Sequence, residues 1–104
     1  MPPTVDLIAA AESETQQQQD SLKAEELRQR QQSDDIKWLM AHPQGRRIVT
    51  RIFEKTGIRR TPFNTSGSVM AFNAGMQNVG LWLEAEVLEH APERYLQLLK
   101  EFQA

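Results

Sequence analysis

Large apolar side chains are unevenly spread along the chain. Before Ser33 only Val5, Leu7, Ile8, Leu22 and Leu27 follow Met1, whereas most of the apolar mass comes after it. So few residues cannot form a core. Yet from Thr4 to Ala41 there is neither Gly nor Pro, and Ala, Glu, Gln, Leu, Lys and Arg dominate, the residues that lose least on entering a helix. Residues 1–32 therefore form an arm with two outcomes. One is a disordered tail, expected from low hydrophobicity and the Gln16–Gln19 tract. The other is a long helix docked on a neighbour through Leu22 and Leu27. Unsupported helices are marginally stable, which favours the tail for an isolated monomer.

From Ser33 the pattern turns helical with a buried side, and residues 33–104 read as a globular unit. Ser33 is a good N-cap, with Asp34 and Asp35 in the first turn where carboxylates complement the helix dipole. Ile36, Leu39 and Met40 then share a face with Trp38 beside it, and His42-Pro43 ends the element. Pro43 opens a second helix in which Ile48, Val49, Ile52 and Phe53 recur at helical spacing, closed by Gly57. Pro62, Asn64 and Gly67 mark residues 58–68 as a loop. A third helix is predicted from Ser68 to His90, its buried stripe running through Val69, Phe72, Met76, Val79, Leu83 and Val87. Leu81, Trp82 and Leu88 extend the apolar surface round a second side. Pro92 starts a final helix with Tyr95, Leu98, Leu99 and Phe102 on its stripe. No segment alternates with period two, so the expected class is all-α: a small bundle of about four helices with a helical or disordered arm.

Composition and charge narrow the function classes. With 104 residues the chain is one small domain whose core offers modest stability. The absence of cysteine excludes a disulfide-stapled scaffold and a thiolate zinc site, leaving only His42 and His90 as soft ligands. Nothing approaches the roughly 18 apolar residues of a membrane span, and the N-terminus lacks a basic stretch followed by an apolar run. An aqueous, cytosol-like compartment is expected. The net charge of -2 divides into -4 over residues 1–41, +5 over 42–60 and -3 over 61–104. Only the middle segment attracts a polyanion.

That segment carries the most specific chemistry. Arg47, Arg51 and Lys55 are four apart and share a face, and Arg46, Arg59 and Arg60 add charge at its ends. Six clustered cations can neutralise phosphates without reading sequence. They can equally form a solvated face, or pair with acids of the arm or with Glu84, Glu86 and Glu89. The acidic whole repels DNA at longer range, which favours the solvated face or a protein partner. In the third helix, Ala71, Ala74, Gly75 and Gly80 are small enough for a close crossing, either with the second or last helix or with another subunit. They do not open a phosphate loop, because Leu81-Trp82 stands where Lys-Ser or Lys-Thr is needed.

No catalytic constellation is legible. Glu84, Glu86 and Glu89 with His90 lack the second histidine of a zinc helix and read as an exposed face, and His42 reads as a turn-filling residue. No serine sits in a nucleophile turn. The chain is expected to be no enzyme, with no metal, cofactor or small-molecule substrate. The aromatics Trp38, Phe53, Phe72, Trp82 and Phe102 are expected in the core, with Trp82 the one suspected of reaching a partner.

The order Asp-Ile-Lys-Trp-Leu-Met (35–40), His-Pro-Gln-Gly-Arg-Arg (42–47), Asn-Val-Gly-Leu (78–81) and Ala-Pro-Glu-Arg-Tyr (91–95) resembles a family of small proteins of tailed bacteriophages. That family is met mostly in short-tailed phages, among virion and head-morphogenesis genes. The resemblance spans residues 34–102 and leaves the arm unmatched. It implies a place in the virion, assembly in the host cytoplasm, other virion proteins as partners and several copies or a homo-oligomer, and it supplies no established catalytic residue. Three functions follow: a virion structural or assembly accessory, near the portal and tail or internal and ejected with the genome; a nucleic-acid-binding accessory; and a regulator or inhibitor of a host protein.

Overall fold

The computed structural model describes residues 3–103, with side chains from Asp6 onward, so Val5 lies outside the described side chains. Four helices follow in order: α1 (Pro3–Ala41), α2 (Pro43–Thr56), α3 (Gly67–His90) and α4 (Pro92–Phe102). Among the described residues there is no strand. The class is all-α. The chain divides into two units between Gln32 and Ser33.

In the first unit the chain is helical, with every side chain from Asp6 to Gln32 exposed. Its order comes from local bonds: Thr15 Oγ1 donates to the Ala11 carbonyl at 2.9 Å, Gln16 reaches Asp20 at 3.0 Å, and Arg28 pairs with Glu25. Pairs of this kind each add a few tenths of a kcal/mol to a helix. Leu22 and Leu27 are both exposed. Ser33 does not cap a helix, because α1 runs through it. An N-cap needs a non-helical residue, and the strong helix formers on its N-terminal side continue the helix instead.

In the second unit α2, α3 and α4 pack pairwise. The last turns of α1 join them through the buried Met40 and the partly buried Ile36 and Leu39. The core is small: Met40, Val49, Phe53, Ile58, Val87, Ala91, Tyr95 and Leu98. Two glycines set how closely its parts approach. At Gly45 an added Cβ would lie 1.8 Å from the Leu39 carbonyl oxygen, so the first turn of α2 presses backbone to backbone against the end of α1. At Gly80 it would lie 2.1 Å from Thr56 Oγ1 and 2.4 Å from Ile58 Cγ2, so α3 crosses the end of α2 at that point. Gly57 closes α2 in the left-handed conformation at φ 70°.

The crossing at Gly80 turns Val87 into the core and rotates the rest of the expected stripe away. Val69, Phe72 and Val79 are exposed, and Met76 and Leu83 are half-buried. Leu81 and Leu88 are exposed on another side. On α2, Val49 and Phe53 are buried but Ile48 and Ile52 are not, and on α4 Phe102 is exposed, lining an open cleft with Phe53, Leu98 and Leu99. Of the expected core aromatics only Phe53 is buried; Trp38 and Trp82 are exposed. Such a short core cannot cover a helix whose apolar residues are spread over several of its sides.

Gly75 and Gly80, the two interior glycines of α3, separate crossing from propensity. A Cβ on Gly80 is expected to lower stability by about 1–3 kcal/mol through overpacking. On Gly75, where a methyl meets nothing within 4 Å, alanine is expected to raise stability by up to about 1 kcal/mol through helix propensity. Urea unfolding of Gly80→Ala and Gly75→Ala in dilute solution measures both, and equal shifts of the same sign would contradict the crossing.

Candidate functional site

Pro43 places Arg46 and Arg47 in the first turns of α2, where positive charge opposes the helix dipole and no acidic residue offsets it. Arg46 solves this by turning inward. Its side chain is 4 % exposed; Nε donates to both Glu101 oxygens at 3.1 and 2.9 Å, Nη2 lies 2.9 Å from Oε1, and Nη1 donates to the Met40 carbonyl at 2.8 Å. One guanidinium thus joins the end of α1, the start of α2 and the end of α4. The hydrogen bonds from Arg46 hold the Glu101 carboxyl below its ordinary range, and the charge of Arg47 adds to the effect. Arg46 therefore belongs to the fold and not to an exposed cationic face.

Arg59 is also engaged. Its Nη2 donates to Glu84 Oε2 at 3.0 Å and to Tyr95 Oη at 2.7 Å, while the tyrosine hydroxyl donates to the same Glu84 oxygen at 2.7 Å. Desolvation and the neighbouring carboxylate raise the Tyr95 hydroxyl above its usual value. Glu84, expected on an exposed face, is thereby fixed between the α2–α3 loop and α4. Arg60 donates to the Glu54 carbonyl at 2.8 Å. Of the six candidate cations, Arg47, Arg51 and Lys55 are exposed and make no ion pair among the described residues. On α2 the basic face is these three, with Arg60, exposed and without an ion pair among the described residues, beside them in the loop.

His42 fills the α1–α2 corner as expected of a turn residue. Its Nδ1–H donates to the Trp38 carbonyl at 2.6 Å, and its ring lies on Trp38 with centroids 4.9 Å apart. Glu86, Glu89 and His90 bring three ligand atoms within 4.8 Å of one another. That follows from their spacing on one helical turn, with His90 Nε2 3.5 Å from Glu86, and no other element adds a donor among the described residues.

The largest unsatisfied surface belongs to α3. Phe72, Val79 and Trp82 are 67 %, 57 % and 61 % exposed along one side, with Met70, Leu81 and Leu88 exposed along another. From Thr61 to Leu83 the chain has no charged residue. Among the described residues no helix is long and apolar enough to cross a membrane. An exposed apolar surface of this extent is uncommon on a solvated single chain. Beside it, Lys55, Gly57 and Arg60 meet Phe72, Met76 and Gln77 around a cleft of about 170 Å³. The aromatics expected in the core lie on this surface, and its signal in the sequence is the uncharged run from Thr61 to Leu83. For Arg46 the signal was a cation in a helix's first turn.

A family model described as Bbp19-like phage protein matches residues 36–100, which include every residue of the core. No curated protein matches the chain. No solved structure matches it either.

The two sets of arginines are expected to separate on substitution. Arg46→Ala strands the Met40 carbonyl and should cost about 1–3 kcal/mol, while replacing Arg47, Arg51 and Lys55 with Gln should move the unfolding midpoint little. Because the Glu101 pKa is depressed in the fold, its contribution is present above the ordinary carboxylate range and is lost as pH falls through and below it. Thermal melts over that acid range are expected to be steeper in pH for the native sequence than for Arg46→Ala. An unchanged slope would contradict the assignment.

Proposed function

We propose that this chain, which belongs to the Bbp19-like phage protein family, is a structural or assembly accessory of the virion that acts by protein–protein contact and not by catalysis. The observation that carries the reading is the pair of uncovered apolar sides on α3. An uncharged surface of this size suits burial against protein, since solvated monomers rarely leave it open. The exposed helix before Ser33 adds a second element with no covering of its own. A protein of this design is held in several copies among other virion proteins, and is assembled with them in the host cytoplasm. Two positions fit, near the portal and tail of a short-tailed particle, or inside the head among components that leave with the genome.

A second reading keeps one specific observation in its favour. Arg47, Arg51 and Lys55 remain exposed and unpaired among the described residues, and such a row can lie along a phosphate backbone. On that reading DNA affinity falls steeply with salt, and replacing all three residues reduces the log–log slope by roughly 2–3.

Mass spectrometry of purified virions, alongside particles emptied of genome, tests the first reading. A fixed copy number in intact particles is expected, and loss from emptied ones identifies an internal component. Absence from intact particles contradicts the reading, and absence of DNA binding at low salt removes the second.

A further inference from the structure

The more aromatic free side of α3 carries a pattern of its own. Ser68, Phe72, Gly75, Val79, Trp82, Glu86 and Glu89 follow one another at alternating spacings of four and three. That alternation keeps one line of side chains facing a second helix along its whole length. Among the described residues of the second unit no helix covers it: Phe72, Val79 and Trp82 are exposed, and the space over Gly75 is open. Glycine costs about 1 kcal/mol inside a helix against alanine, and nothing in the fold requires it here.

We infer that this line docks against the same line of a second copy, the two α3 helices running antiparallel. Charge selects the occupant. From Thr61 to Leu83 there is no charged residue, so a charged partner would lose its hydration without compensation. A second copy presents a matching neutral surface. Charge also selects the direction. Parallel pairing would stack Glu84, Glu86 and Glu89 of the two copies against each other. Antiparallel pairing sets Glu86 beside Ser68 of the second copy, in the first turn of its α3, where the dipole favours a carboxylate. Lys55 and Arg60, which flank Phe72 and Met76, lie at that same end. In this register Trp82 meets the second copy's Phe72, and Val79 enters the space over its Gly75. The contact forms an aromatic pair and a knob in a hole.

The two aromatics expose roughly 200–300 Å² together, taking about 150–250 Å² for a whole side chain. That is a modest part of the roughly 800 Å² per partner of a standard interface, so the pair is reversible and concentration-dependent. The inference rests on reading α3 as a docking surface. Self-association in solution and presence in the virion are separate measurements that fail separately.

Sedimentation velocity of the full chain from micromolar to sub-millimolar concentration is expected to show a monomer–dimer equilibrium. Val79→Arg, at an exposed position, should remain monomeric throughout while its dilute unfolding midpoint is unchanged. A native chain that stays monomeric over the whole range overturns the proposal, as does a Val79→Arg chain that dimerises undiminished. The chain has no cysteine, so single cysteines report direction. Under mild oxidation Asn78→Cys, near the centre of the line, is expected to link to its own kind, and Ser68→Cys is not. Efficient linking of Ser68→Cys overturns the antiparallel arrangement.

Discussion

The close passage of α3 over the end of α2 at Gly80 decides which part of this protein is core and which is surface. With Thr56 Oγ1 and Ile58 Cγ2 where a side chain would begin, only hydrogen fits, and α3 can settle with that line inward and in no other rotation. Val87 follows it into the core. Phe72, Val79 and Trp82 are then necessarily outside, as are Leu81 and Leu88. A helix with apolar residues on several sides meets a unit too small to surround it, and one steric contact determines which sides remain free.

The charged residues make the same division. Arg46 and Arg59 lock the corners of the second unit, one across α1, α2 and α4, the other across the α2–α3 loop, α3 and α4. A buried guanidinium such as that of Arg46, bonded to Glu101 and the Met40 carbonyl, specifies geometry more than it adds stability, because its desolvation offsets much of its attraction. What is left for the outside is a short basic face at Arg47, Arg51 and Lys55 and a neutral surface on α3.

Local conformational rules made much of the fold legible in the sequence. Pro43, Gly57 and Pro92 act through their own φ angles, and the boundaries of α2 and α4 fall where they predict. Ser33 misled because a cap is a property of a chain that has already left the helix, and nothing upstream of it breaks α1. The buried side of α3 is not legible by periodicity, since apolar residues fall on several of its sides; only the steric meaning of Gly80, as distinct from Gly75, separates them. Arg46 looked like its neighbour Arg47 because its acceptor Glu101 lies 55 residues away, and pairing over that distance is set by tertiary packing alone.

The aromatic side of α3 is open in the single chain. Collisional quenching of Trp82 fluorescence by acrylamide, in a full-length Trp38→Phe chain at high dilution, reads that directly. A red-shifted emission quenched nearly as readily as a free indole is expected. A blue-shifted emission resistant to quencher at the lowest concentrations would place Trp82 in the core and contradict it.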